Sequence, residues 1–396
     1  MFGFGFGRGD GGVTMVTLFV LLLSPLLLLL LLALLKLLMM VPLVPLVTAR
    51  CTPRFDRFLC HLLFAPSCSA QNTGVEGGET AIKLARRWGY DVKGVEDNKA
   101  HVVFAENNFW GRTLAAVSSS TDPESYSGYG PYMPGFSTVP YNDVEALEER
   151  LASNPNTVAF MVEPIQGEAG VVVPDDGYMA KVHEVCRRHS VLLIADEVQT
   201  GLCRTGSDLA CDHDGVRPDI LVLGKALSGG VYPVSAVLAD DEIMLTVKPG
   251  QHGSTYGGNP MACRVATAAL QVLREERMAE NASVMGKRLR AGLRSLDAPG
   301  VELVRGRGLL NAVVIKDERG DGTKAWDLCL QLKEKGLLAK PTHGTFIAEY
   351  LAQNPPPPPR MFRKNRSPNN RQHRKRNRSE QGVYDRPPLP SRFRLP

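Results

Sequence analysis

The middle of this 396-residue chain is predicted to adopt an α/β fold with a mainly parallel sheet, on three observations. From about residue 71 to 344, short apolar runs alternate with amphipathic helical stretches, as strands joined by helical crossovers require. Two of the runs end abruptly on an ionisable side chain, VLLIADEVQTG at Asp196 and DILVLGKALSGG at Lys225. Glycines and small polar residues gather at the starts of helical stretches, where backbone N–H groups bind anions.

Taken in order, the strands are expected at Val102–Ala105, Val158–Val162, Val191–Ala195, Ile220–Leu223 and Val234–Leu238. Helices are expected at Glu79–Tyr90, Asp143–Ala152, Gly177–His189 and Pro260–Arg277, the last with proline in its first turn, where a missing N–H costs little. No internal repeat interrupts this alternation.

The two ends have a different character. Residues 11–35 carry no charge, are dominated by leucine and are long enough to span a bilayer. Lys36 interrupts the run, a second apolar stretch reaches Val47, and Pro25, Pro42 and Pro45 break any uniform helix. Three readings stand: a signal peptide, a signal anchor, or low-complexity sequence unrelated to the rest. Arg8, Lys36 and Arg50 are the only Lys or Arg among residues 1–50, so the segment does not read as a mitochondrial presequence. At the other end, Pro355–Pro359 opens a tail expected to be disordered. Residues 355–396 hold twelve Lys or Arg against two acids, so the remainder of the chain is net acidic although the whole carries +5. A basic nucleic-acid-binding face on the folded part is therefore not expected. The eight cysteines form no CxxC pair, and neither a zinc site nor a disulfide framework is indicated.

A carboxylate at a strand's carboxyl end lies where open α/β sheets bind ligands, although Asp196 taken alone is equally well read as a residue that ends a strand and caps a turn. Lys225 follows a buried-looking strand and is bracketed by Gly224, Ala226, Gly229 and Gly230, which let a bulky group approach. That setting suits an amine that must lose its proton to bond a carbonyl. The pair is more specific than either half, because an acid beside a pyridinium nitrogen and a lysine at the next strand end are the working parts of pyridoxal-phosphate enzymes. Thr73, Gly74 and Val75 precede a helix expected to begin near Gly78 and offer N–H groups to a phosphate. Ser254 and Thr255 in GSTYGGNP offer hydroxyls, or form a plain polar turn. In NFWGR, Phe109 or Trp110 is placed to stack on a ring, or to fill the core.

The stretches NTGVEGGETAIKLARRWGY, NFWGRTLAAVSSSTDP, GPYMPGF, MVEPIQGEAGVVVP, LLIADEVQTGLCRTG, LGKALSGGVYPVSAVL, HGSTYGGNP, RGRGLLNAVVI and GLLAKPTHG resemble the class III aminotransferases and, within that class, the ornithine-using branch. The resemblance implies an aspartate-aminotransferase-like fold (fold type I) with a truncated small domain. It divides the chain into 1–70 without a match, a large cofactor-binding domain at 71–285, a partial small domain at 286–344 and a tail at 345–396. It further implies that Lys225 carries pyridoxal 5'-phosphate, Asp196 contacts the ring nitrogen, Gln199 meets the ring hydroxyl and Phe109 stacks on the ring. Gly74 and Val75 would bind the phosphate, with Ser254 and Thr255 reaching it from the partner subunit of a homodimer. Arg112 would hold a carboxylate of 2-oxoglutarate, and Glu168 would mask a C-terminal arginine while L-ornithine reacts. The implied reaction moves the δ-amino group of L-ornithine to 2-oxoglutarate, in the mitochondrial matrix, with membrane contact only through residues 11–47.

Residues 1–70 and the sequence after Gly344 do not resemble the family, which points to alternative exons or a misassigned gene structure. The family's N-terminal substrate-binding tyrosines are then missing, and Glu168 is expected to lack its arginine partner. Apolar surface at Val301–Ile315 and Trp326–Leu338 is expected to stay uncovered. Two other readings remain: a class III enzyme for a different ω-amine, and a truncated, inactive form that still binds the cofactor.

Overall fold

The computed structural model describes residues 67–317, 323–342 and 345–347; the leucine-rich segment at 11–47 and the tail lie outside them. Seven strands form the larger sheet, in the order β1 (Ser67–Gln71), β7 (Ser235–Ala239), β6 (Ile220–Leu223), β5 (Leu192–Asp196), β4 (Thr157–Val162), β2 (His101–Ala105) and β3 (Phe136–Val139). Strands β6 to β3 run parallel, while β7 is antiparallel to both β6 and β1.

A parallel sheet has to be covered on both faces, and the alternation along its strands shows how. Phe160, Leu193 and Leu221 enter one buried cluster, while their neighbours Met161, Ile194 and Val222 enter the other. Helix α1 (Gly74–Trp88) covers the second face with Ala81, Ile82, Leu84 and Ala85. On the first face lie α2 (Val144–Ser153), α3 (Tyr178–Arg188) and α4 (Pro260–Glu275), through Leu147, Val182, Val185, Ala266 and Leu270.

Beyond α5 (Met278–Ser295), a second sheet runs in the order β10 (Lys340–Thr342), β11 (Thr345–Ile347), β9 (Leu310–Ile315), β8 (Val301–Arg307). Helix α6 (Thr323–Glu334) packs Ala325 and Cys329 against Val304, Val313 and Ile315. This sheet meets the larger one through Leu310 and Ala312 against Ile165 and Val171. Arg305 adds two hydrogen bonds to the Gly170 carbonyl, from Nε at 3.0 Å and Nη2 at 2.8 Å.

All five expected strands form, within a residue or so of their expected bounds. Three features differ from expectation. Helix α1 begins at Gly74 rather than near Gly78, because Thr73 caps it: the Thr73 hydroxyl accepts from Glu76 N, and Glu76 reaches back to Thr73 N at 2.7 Å. That reciprocal capping box outweighs the poor helix propensity of the glycines. Strand β1 lies immediately ahead of the first recognisable stretch, which begins at Asn72, and is held at the sheet edge by β7. The second sheet continues past Gly344, since β11 pairs with β9 up to Ile347.

Candidate active site

Four loops leave the same edge of the large sheet. Strand β2 leads to Phe109, β4 to Glu163, β5 ends on Asp196, and β6 leads to Lys225. Strand β1 is antiparallel to β7 and so runs with β6, which delivers the start of α1 to that edge as well. This is where parallel sheets bind ligands.

Asp196 is buried, and its Oδ1 accepts from Val198 N at 3.0 Å. Burial pushes its carboxyl up to about 6, helped by repulsion from Glu197, while the Val198 N–H and the Lys225 ammonium pull the other way. Lys225 follows in a short helical turn, Lys225–Ser228, at a φ of 36°. A non-glycine residue in that left-handed region is strained by about 1–2 kcal/mol. The turn is held by Ser228, whose hydroxyl donates to Lys225 O at 3.1 Å and accepts from Gly230 N at 3.1 Å. The Lys225 side chain is exposed rather than enclosed. It stands at the wall of a cleft of about 960 Å³, whose other side is the apolar face of α4 with Val265, Ala269 and Val272.

At the start of α1, the Glu76 carboxylate accepts from Asn72 N, Thr73 N and the Asn72 side-chain amide. Burial works to raise the Glu76 carboxyl, but hydrogen bonds from Asn72 and Thr73 outweigh it and hold it low. With the Asn72 and Thr73 donors committed to the cap, Gly74 and Val75 head the helix. A side chain on Gly74 would stand 2.7 Å from Val198 Cγ1, and one on Gly224 3.2 Å from the same atom, so Val198 is wedged between the helix start and the Lys225 turn. Ser254 comes to this corner in the same chain: its hydroxyl accepts from Asn72 Nδ2 at 3.1 Å and from Gly257 N at 3.0 Å. Thr255 is exposed.

Of the two aromatic candidates, Trp110 belongs to the core. It is buried, lies parallel to Phe104 and donates from Nε1 to Ser119 Oγ at 2.8 Å. Phe109 is half-buried, with the Arg112 guanidinium 5.4 Å from its ring centre. Gln199 faces the cleft beside Lys225. A Cβ on Gly167 would fall 1.8 Å from Gln199 Oε1, so a side chain there would push the amide aside.

Glu168 has a cationic partner after all. Lys340 on β10 forms an ion pair with its carboxylate, and the Thr342 hydroxyl donates to its backbone carbonyl at 2.6 Å. The partner is a lysine in place of the arginine that the resemblance implies, and it lies within the recognisable stretch GLLAKPTHG. Glu163 was passed over, although it follows the apolar run TVAFMV much as Asp196 closes LLIAD. Glu197 is structural: it is buried and accepts from Thr200 Oγ1, Ala210 N and Cys211 N.

The family described as Aminotransferase class-III matches residues 36–351. A curated relative, the mitochondrial ornithine aminotransferase of Rattus norvegicus, is 63% identical over 293 residues, covering 74% of this chain and 66% of that protein. The solved ornithine aminotransferase of Toxoplasma gondii ME49 superposes with a TM-score of 0.73 at 49% identity, covering 75% of this chain and 70% of its own. An acetylornithine aminotransferase from Elizabethkingia anophelis does so at 0.67 and 48%, covering 74% and 71%. The chain belongs to the class III aminotransferases, which are pyridoxal-phosphate enzymes of fold type I. It spans about two thirds of the length of the rat relative.

The residues present fit that cofactor. Asp196 is a buried carboxylate whose proton affinity is raised and which gains from an added positive charge, as a protonated ring nitrogen supplies. Gly74 and Gly224 let the start of α1 and the Lys225 turn pack directly on Val198, two residues after Asp196, which draws the helix N-terminus, the acid and the amine into one corner.

Proposed function

We propose that this chain transfers the δ-amino group of L-ornithine to 2-oxoglutarate, giving glutamate 5-semialdehyde and glutamate, with Lys225 carrying the cofactor. The observation that carries the reading is the convergence of Asp196 and Lys225 on one sheet edge, each at the end of a buried parallel strand. Bound there, pyridoxal phosphate supplies an electron-withdrawing ring that takes up the electron pair left when a substrate carbon loses its proton. Asp196 holds the positive charge on the ring nitrogen, and Gln199 meets the ring hydroxyl. Phe109 packs on one ring face. The first-turn N–H groups of Gly74 and Val75 bind the phosphate, where the helix dipole favours an anion. Lys225 Nζ, once displaced by substrate, accepts the proton from the substrate carbon and returns it.

Arg112 is the cation for a 2-oxoglutarate carboxylate, and it already stands over Phe109. Glu168 is poised to release or retain a cation according to which substrate is present, with Lys340 in that position in this chain. Ser254 and Thr255 are assigned to the phosphate across a homodimer interface; the exposure of Thr255 and Tyr256 supports this for Thr255, whereas the Ser254 hydroxyl is held by Asn72 of its own chain. A mitochondrial location is in keeping with the rat relative.

A second reading is favoured by the near-equal likeness to the acetylornithine enzyme: the amino donor is an ω-amine related to ornithine. Supplying the full chain with pyridoxal phosphate, 2-oxoglutarate and either ornithine or acetylornithine separates the two. The expected result is at least tenfold higher kcat/KM for ornithine, with glutamate 5-semialdehyde formed. A tenfold preference for acetylornithine would overturn the ornithine assignment and leave the class intact.

A further inference from the structure

Glu163 is a buried carboxylate to which the reaction above gives no part, and it touches both walls of the site. Its Oε1 accepts from Phe109 N at 3.0 Å and its Oε2 from Gly167 N at 3.2 Å. Phe109 is the aromatic assigned to the ring face, and Gly167 is the residue that lies against the Gln199 amide. One carboxylate therefore joins the backbone above the ring to the backbone beside its hydroxyl contact. The groups that face it are Asp196, Lys225 and Tyr141, whose phenol donates to Glu163 O at 3.2 Å and to Pro164 O at 2.9 Å.

We propose that Glu163 is a positioning residue that transmits the charge state at Asp196 into the placement of Phe109 and of Gln199. The proposal rests on the cofactor assignment above. The physical link is a competition. Burial and repulsion from Asp196 favour the neutral acid and push Glu163 up to about 8, while the N–H groups of Phe109 and Gly167 and the Lys225 ammonium favour the carboxylate. As a neutral acid, Glu163 carries its proton on one oxygen, which then accepts poorly from its N–H, so one of the two backbone ties slackens. A cation brought to Asp196 removes the repulsion. Glu163 then ionises, its proton passes to solvent, and both ties reach full strength. The site would tighten around the ring only when a positively charged ring nitrogen faces Asp196, which an uncharged aromatic ring cannot accomplish.

The full chain is examined by infrared difference spectroscopy at pH 7, before and after loading with pyridoxal phosphate, beside Glu163→Gln. The expected result is a protonated-carboxyl band in the unloaded chain that vanishes on loading and is missing from E163Q. E163Q should also bind the cofactor roughly tenfold more weakly, through loss of one charged hydrogen bond, and should shift the pH dependence of the bound cofactor's visible absorption. A band that survives loading, or that is equally present in E163Q, overturns the proposal while leaving the cofactor assignment standing. A chain that takes up no cofactor at all overturns both. Should E163Q fail to fold, Glu163→Asp carries the assignment, because a shorter acid displaces the band without abolishing it; an undisplaced band in that variant overturns the proposal.

Discussion

The seven-stranded sheet and the four-stranded sheet bury their apolar side chains to different degrees. Strand β4 is buried at every position, and the large sheet has a sizeable cluster on each face. Among the described residues the small sheet has one modest cluster on its helix side and a small one at its junction with the large sheet, while Leu303, Trp326, Leu330, Leu337 and Leu338 stay exposed, Leu338 by 71%. Asp196, Glu163 and Gly74 stand on the first, self-sufficient half. Lys340, which meets Glu168, comes from the second. The half that carries Asp196 and Lys225 is therefore specified by its own packing to a greater degree than the half that carries Lys340.

The contrast can be broken most easily in the core. Leu193→Ala, at a fully buried position of β5, is expected to destabilise the chain by about 2–5 kcal/mol in chemical denaturation. Leu330→Ala, 44% exposed on α6, should fall within about 0.5 kcal/mol of the parent. Equal costs at the two positions would mean that the small sheet is packed as tightly as the large one.

A smaller effect should appear in the pH dependence of stability. Glu163 sits at about 8 in the folded chain against 4.5 for a free glutamate, so the folded form holds a proton that the unfolded form has released. Stability from this group must then fall as pH rises from about 4.5 toward 8, with a slope on the order of 1 kcal/mol per pH unit at most. In the cofactor-free protein, Glu163→Gln should flatten that slope. A stability that rises across the same window in the parent and is unaltered in the variant would remove Glu163 from the account.

The smallest expected effect lies at the junction of the two sheets. The Lys340 side chain is 51% exposed, so Lys340→Ala should cost less than about 1 kcal/mol of stability. Its consequence should show instead in the response to 2-oxoglutarate, with KM changed and cofactor affinity the same. An unchanged KM would return Glu168 and Lys340 to a purely structural pair.

What could be read from the sequence follows the same division. The five buried strands were legible because runs such as VAFMV and ILVL admit few other arrangements, and Asp196 and Lys225 were legible because each interrupts such a run. Glu163 follows the same rule at the end of TVAFMV, and its part shows only in the structure, where it accepts from Phe109 N and Gly167 N. The start of α1 was misplaced because three glycines near it suggest a loop; the Thr73 and Glu76 pair three residues apart was the signal that placed it correctly. Strand β1, SCSAQ, has no apolar run and is a strand because β7 offers it a free edge. The Lys340 contact was not legible, since it joins residues 172 positions apart through the packing of β8 and β9 on the Glu168 loop.

The central claim is that Lys225 carries the cofactor. Loading the full chain with pyridoxal phosphate, reducing it with borohydride and mapping the labelled peptide tests it most directly. The label is expected on Lys225, in the peptide that contains DILVLGKALSGG, and Lys225→Ala should show none there. Label on another lysine, with cofactor demonstrably bound, would contradict the account.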